Sequence, residues 1–166
     1  MSVELHCTLP ISTLQGVFLA HYCDEGLTAL EFPSSRTRSA APASPNISEH
    51  FKAWHSLTRA AVQACLSGKP AGQLPPIAAD GTAFQKSVWR EMRSIPLGET
   101  VSYGEIADAI GKPRAARAVG QACGANPIPL LIPCHRVLAS GGQLGGFSGG
   151  LDWKRRLLAL EGVTLL

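Results

Sequence analysis

The chain has 166 residues, 45% hydrophobic and 16% charged; average soluble domains carry about a quarter charged residues, so a disordered or acidic solvating chain is excluded. Its five Cys, odd in number and without a C-x-x-C pair, exclude a complete disulfide framework and a zinc ribbon and point to free thiols in a reducing compartment. The formal charge of +3 is uneven: residues 1–83 carry five Lys/Arg against six Asp/Glu (−1) and residues 84–166 carry ten against six (+4), so the C-terminal half is the candidate polyanion-facing part.

Met1-Ser2-Val3-Glu4 lacks a basic leader, and no apolar run is long enough to span a bilayer, so a cytoplasmic protein without membrane contact is expected. Residues 16–23 are apolar and β-leaning, Asp24-Glu25-Gly26 turns, and 27–32 partly alternate, which predicts a hairpin. Pro33 through Ile47, rich in Ser, Pro and Arg, reads as a mobile loop. From Ser48 to Leu66 the apolar Phe51, Trp54, Leu57, Ala61, Val62 and Cys65 recur at helical spacing until Gly68. Lys69 through Gly81, with three Pro and two Gly, reads as a linker. Two units follow: residues 1–81, a strand-rich lobe with its linker, and residues 82–166, a mainly helical lobe. The expected class is α+β.

Thr82-Ala83-Phe84-Gln85 has the capping-box pattern and opens a helix expected to bury Phe84, Val88, Met92 and Ile95. Ser102-Tyr103-Gly104-Glu105 repeats the pattern before Ile106, Ala107 and Ile110. Gly111 then stops that helix, and Pro113 suits the first turn of another, from Arg114 to about Gly124. The pair is a helix-turn-helix candidate. A last helix runs from Leu151 to Glu161 and ends at Gly162.

Two segments carry the chemistry. Arg114 to Ala122 offers mostly Ala and Gly where a base-reading helix needs long polar side chains. Small residues suit close approach to a minor groove read by shape, with Arg117 as the one long side chain able to enter the stack; an Ala-rich packing helix is the competing reading. Ile132-Pro133-Cys134-His135-Arg136-Val137 sets a thiol beside a base and a cation, with Glu161 among the few carboxylates able to orient His135. The competing reading there is a buried structural thiol.

Ile-Pro-Cys-His-Arg-Val at 132–137 resembles the active-site motif of the O6-alkylguanine-DNA alkyltransferase family. The resemblance extends from Phe84 to Gly162 through Val101-Ser102-Tyr103, Ala115 to Gly120, Asn126-Pro127, Ser148 to Leu151, and Leu157 to Gly162. It implies an RNase H-like N-terminal lobe and a winged-helix-like C-terminal lobe. It also implies DNA repair by direct reversal: single-turnover, irreversible transfer of an alkyl group from O6 of guanine, and from O4 of thymine, after base flipping in duplex DNA.

By the same resemblance Cys134 is the alkyl acceptor, His135 takes its proton through water, and Glu161 orients His135. Tyr103 meets guanine N3 and crowds the target's phosphate, Arg117 fills the vacated stack, and Asn126 is the hinge to the active-site strand. Ala115, Ala116, Ala118, Gly120 and Ser102 would lie along the DNA. Val137, Phe147, Ser148, Gly149 and Cys123 would line the base and alkyl pocket. No cofactor or metal is implied, because the substrate carries an activated alkyl group; Thr28 stands where zinc-binding relatives need a His beside Cys23. Phe147 replaces a frequent Tyr, and Cys123 a larger side chain. The expected partner is duplex DNA with O6-alkylguanine, bound by a monomer, self-association along DNA staying open. The rival function is a non-catalytic module that recognises alkylated DNA and recruits other factors; Cys134 with His135, Tyr103 and Glu161 favours chemistry.

Overall fold

The computed structural model describes residues 7–40 and 46–165. The fold is α+β, and its first layer is an antiparallel meander of β1 (Cys7–Thr13), β2 (Gly16–Cys23) and β3 (Gly26–Glu31), in that order. The expected hairpin is β2–β3. β1 was not anticipated, since Pro10 interrupts its pattern; as an edge strand it can carry a residue without an N–H. Leu9, Ile11, Phe18, Ala20, Tyr22, Leu27 and Leu30 are buried, and α2 (Glu49–Cys65) lies on β1 and β2 with Phe51, Ala61, Val62 and Cys65 inward.

Two irregular stretches hold more structure than their composition suggested. Within the 33–47 loop, Ser34 caps a single turn, α1 (Ser35–Arg38), and Thr37 is buried; residues 41–45 of that loop lie outside the described residues. The expected linker is laid along β3: Leu27 N–H donates to the Pro76 carbonyl at 2.8 Å and Ala78 N–H to the Leu27 carbonyl at 2.8 Å. Proline there leaves few donors, yet one bridge at Ile77 suffices to anchor the segment.

The helical region begins with α3 (Ala83–Arg93), whose capping box at Thr82 and Gln85 is present. Its inward face is Val88, Trp89 and Met92; Phe84, expected inside, is half-buried. Trp89 takes the interior place because its Nε1–H can donate to the Ala122 carbonyl at 2.8 Å, which satisfies the indole when buried. The strand β4 (Val101–Ser102) leads into α4 (Tyr103–Ala109), capped by Ser102 and Glu105. α4 ends in a Schellman motif: Gly111, at φ +70°, donates to Asp108 O and Lys112 to Ala107 O.

The next helix, α5, spans Ala116–Gly124 rather than starting at Arg114. Pro113 is instead the second residue of a turn closed by Ala115 N–H on the Lys112 carbonyl at 2.9 Å, a position its fixed φ favours. β5 (Val137–Leu138) pairs in parallel with β4, Val101 opposite Val137. α6 (Leu151–Leu160) closes the chain. One continuous cluster of buried side chains joins the sheet to α3, α5 and α6, from Leu9 to Leu157. Among the described residues, no helix is long and apolar enough to cross a membrane.

Candidate active site

The segment between α5 and β5 is built around Asn126, which is 4% exposed. Its Nδ2 donates to the Ile132 carbonyl at 2.8 Å while its Oδ1 accepts from Ile128 N–H at 3.0 Å, so one side chain ties both ends of the 128–132 loop. Leu130 inside that loop sits at φ +76°, a strained conformation for a side-chain-bearing residue. Leu30 N–H donates to Pro127 O at 2.9 Å, joining the loop to β3. The chain then makes a 3-10 turn over Cys134–Arg136 and enters β5. Because β5 pairs with β4, and α4 starts right after β4, the register brings the Cys134 turn and Tyr103 to one place.

Cys134 and His135 are both buried, at 4% and 0% exposure. Burial pushes the Cys134 thiol above its ordinary value; a hydrogen bond from Asn126 and the charge of Lys154 act against that rise. His135 Nε2 lies 2.8 Å from Glu161 Oε1. A carboxylate only accepts, so Nε2 carries the proton and Nδ1 presents a lone pair. That Nδ1 is buried without a hydrogen-bond partner. Burial lowers the His135 pKa, outweighing the pull of Glu161 in the other direction, which keeps the ring neutral near pH 7.

Glu161 is the C-cap of α6, fixed by a second Schellman motif in which Gly162 donates to Ala159 O and Val163 to Leu158 O. Its carboxylate accepts Nε and Nη2 of Arg136, both at 2.9 Å, while Arg136 Nη1 donates to Ile95 O at 2.7 Å. Burial alone would raise the Glu161 pKa, but His135 and Arg136 hold it at about 2. An anchored anion of this kind fixes the imidazole's tautomer and direction.

Lys154 was not singled out among the sequence's candidates, yet it is fully buried. Its Nζ donates to the carbonyls of Val137 at 2.7 Å, Gly146 at 3.3 Å, and Leu144. Burial lowers its pKa, with Cys134 and Cys123 raising it. The available signal was a Lys three and four residues before Leu157 and Leu158, on the apolar stripe of α6.

The other expected residues fall into two groups. Tyr103 is packed between α5 and the glycine loop: a Cβ on Gly120 would lie 3.7 Å from its ring, and one on Gly145 2.5 Å from its hydroxyl. Cys123 is buried with its Sγ 3.5 Å from Met92 Sδ, its thiol pushed up to about 12 by burial and Cys134. Val137 is buried, and Phe147, Ser148 and Gly149 form a turn closed by Gly150 N–H on Phe147 O at 3.0 Å. The second group lies on α5: Arg117 is exposed, Ala115, Ala116, Ala118 and Gly120 are half-buried, and Val119, Ala122 and Cys123 face inward. Small residues on this helix thus serve packing on one side and leave Arg117 projecting on the other. Ser102 is occupied in capping α4, its Oγ accepting Glu105 N–H at 3.2 Å.

The charge asymmetry resolves into separate uses. Arg136 pairs with Glu161, Lys154 is internal, Arg155 meets Asp152 at 3.3 Å, and Arg156 lies 5.5 Å over the Trp153 ring. Among the described residues, no group of three or more His, Cys, Asp or Glu could hold a metal; Cys23 Sγ accepts Glu25 N–H and Thr28 Oγ1 donates to His21 O.

Comparisons with known proteins show what the chain is similar to. The family described as 6-O-methylguanine DNA methyltransferase, DNA binding domain, matches residues 83–163. A methylated-DNA–protein-cysteine methyltransferase of Mycolicibacterium paratuberculosis is 60% identical over 81 residues, 49% of each chain. One of Methanosarcina barkeri is 46% identical over 138 residues, covering 83% of this chain and 85% of its own. The crystal structure of Mycobacterium tuberculosis OGT in complex with DNA superposes with a TM-score of 0.77 at 38% identity, covering 93% of this chain and 91% of that one.

Proposed function

The chain belongs to the methylated-DNA–protein-cysteine methyltransferase family, and from that premise we propose that it repairs alkylated DNA by moving the alkyl group from guanine O6 onto Cys134 Sγ. The observation that carries the reading is the bare Nδ1 of His135, a buried lone pair on the residue that follows the buried Cys134 in the chain, with Nε2–H held by Glu161. A structural thiol needs no such neighbour; a thiol that must lose its proton in a site that raises its pKa does.

The step balances without any redox partner. The Cys134 S–H proton passes through water to His135 Nδ1, and Glu161 stabilises the imidazolium. The sulfur electron pair forms an S–C bond to the alkyl carbon as the C–O6 bond breaks, its pair staying on oxygen. The departing guanine is neutralised by a proton, donated at N3 by the Tyr103 hydroxyl, which is recharged from the imidazolium through solvent. The thioether is stable, so each molecule acts once. A target paired inside a duplex cannot reach a thiol that is 4% exposed, so the nucleotide must leave the stack. Arg117, projecting from α5, fills the gap, while Ala115, Ala116, Ala118 and Gly120 allow the helix close to the minor groove. Val137, Cys123 and the turn at Phe147, Ser148 and Gly149 surround the base and its alkyl group, and Asn126 holds the hinge. Residues 82–166 carry the DNA-facing work and residues 1–81 support it; thymine O4 presents the same ether chemistry.

Intact mass after mixing with duplex containing O6-methylguanine tests this. A gain of one methylene, abolished in Cys134→Ser, is expected. Unchanged mass with tight DNA binding favours a recruiting module instead. Arg117→Ala is expected to slow repair of duplex more than reaction with free O6-benzylguanine, and equal losses on both sink the role of Arg117 in the stack.

A further inference from the structure

The turn at Phe147, Ser148 and Gly149 is backed by the N-terminal sheet. Phe32, directly after β3, meets the Phe147 ring edge to face, with centroids 5.7 Å apart at 79°. The same ring touches Trp153 of α6 at 4.9 Å and Phe18 of β2 at 5.2 Å, so it bridges the sheet, the last helix and the glycine loop. Gly149 lies beneath both rings: a Cβ there would sit 2.9 Å from Phe147 Cε1 and 3.2 Å from Phe32 Cδ2. A cavity of about 390 Å³ opens beside this contact, with Phe32 and Glu31 on one side and Asn126, Pro129, Ser148 and Gly149 on the other.

Phe32 is itself firmly seated. Glu31 accepts from His21 Nε2 at 2.7 Å and forms an ion pair with Arg36 at 3.4 Å, and Thr8 Oγ1 holds the other ring nitrogen of His21 at 2.9 Å. The capping box at Ser34 and Thr37 fixes the chain immediately after it. The loop facing it is tied to α6 by Lys154 at the Leu144 and Gly146 carbonyls, and beyond them the Phe147 ring packs on Phe32. Its turn at Phe147 therefore takes its position from what it packs against.

We infer that Phe32 is a positioning residue that sets the size of alkyl group admitted to Cys134, by holding Phe147 and Gly149 forward as the pocket wall. The inference rests on the alkyl-transfer reading above. Shortening Phe32 removes the edge-to-face support, and the Phe147 ring falls back toward the sheet, enlarging the pocket. A bulky substituent gains from that space and a methyl group does not.

The test uses the full chain and single-turnover rates with two duplexes, one carrying O6-methylguanine and one O6-benzylguanine. Phe32→Ala is expected to raise the benzyl-to-methyl rate ratio about tenfold, the size of effect that apolar pocket contacts produce. Phe32→Tyr, which keeps the ring, retains the wild-type ratio, a rescue that lost stability alone would not predict. Phe147→Ala raises the ratio too, and adding Phe32→Ala to it raises it no further, because one residue acts through the other. A ratio within about twofold of wild type in folded Phe32→Ala, or an effect that multiplies with that of Phe147→Ala, overturns the inference. Phe32→Leu reports the same direction should the alanine variant not fold. Wild-type protein that transfers neither group overturns the alkyl-transfer reading itself, a result distinct from unaltered selectivity in an active enzyme.

Discussion

Lys154 Nζ and the Val137 carbonyl oxygen are joined by a 2.7 Å hydrogen bond across 17 residues, both residues at 0% exposure. The bond locks α6 to the strand that follows Cys134, and the ammonium's other two bonds hold the glycine loop at Leu144 and Gly146. Three carbonyl acceptors around one cation explain how a lysine is tolerated in a core.

Replacing it by Met keeps the stem but strands the Val137 oxygen. Lys154→Met is expected to lower stability by about 2 kcal/mol, from one buried unsatisfied acceptor and the freed loop. It should also slow alkyl transfer, since the cation that opposes the rise in the Cys134 pKa is gone. Lys154→Arg should fail as well, because a planar fork does not match three converging carbonyls. Urea denaturation alongside single-turnover kinetics checks this; a wild-type rate in Lys154→Met counts against the assignment.

The pH dependence has two stages. His135 binds its proton less well in the folded chain than its ordinary 6.5, so acidification below that value favours unfolding and removes the base. Glu161 is held at about 2 against an ordinary 4.5, so its contribution is present above 4.5 and is lost as pH falls toward 2. The transfer rate should therefore be level near neutrality and fall below the folded His135 pKa, while the urea midpoint falls from 6.5 down to that pKa and again from 4.5 toward 2. A midpoint that stays constant from neutral to acid solution contradicts both assignments.

Gly145 and Gly146 make a matched pair. At Gly145 φ is +65° and a Cβ would meet the Tyr103 hydroxyl at 2.5 Å; at Gly146 nothing lies within 4 Å. Gly145→Ala is expected to cost about 1–3 kcal/mol and to displace Tyr103, with slower transfer to Cys134. Gly146→Ala should leave both stability and rate near wild type. Equal behaviour of the two variants argues against a tight Tyr103 seat.

Much of the site was readable in the chain. The capping boxes at Thr82 and Ser102 are local hydrogen-bond patterns among residues three apart, and both formed at the expected places. The Gly111 and Gly162 stops were equally local. β1 and Trp89 were less visible, because an edge position depends on partners up to 15 residues away and the indole hydrogen bond to Ala122 on one 33 residues away. Pro113 misled for a related reason: a proline serves a helix start and a turn equally, and only the Schellman closure ahead of it decides between them.

The net charge of +3 told the same story from the other side. Sequence alone determined that the cations gather in the second half, that Cys134 stands beside His135, and that the helix of Arg117 is otherwise small. Only the tertiary structure decided that Arg136 and Lys154 are internal rather than available to a polyanion, that Glu161 reaches His135, and that Phe32 of the sheet backs Phe147 of the loop. Local signals fix helix ends because their partners are adjacent in the chain. Burial, ion pairing and pocket walls depend on residues brought together from far apart, so they exist only once the β4–β5 pairing and the shared core have closed.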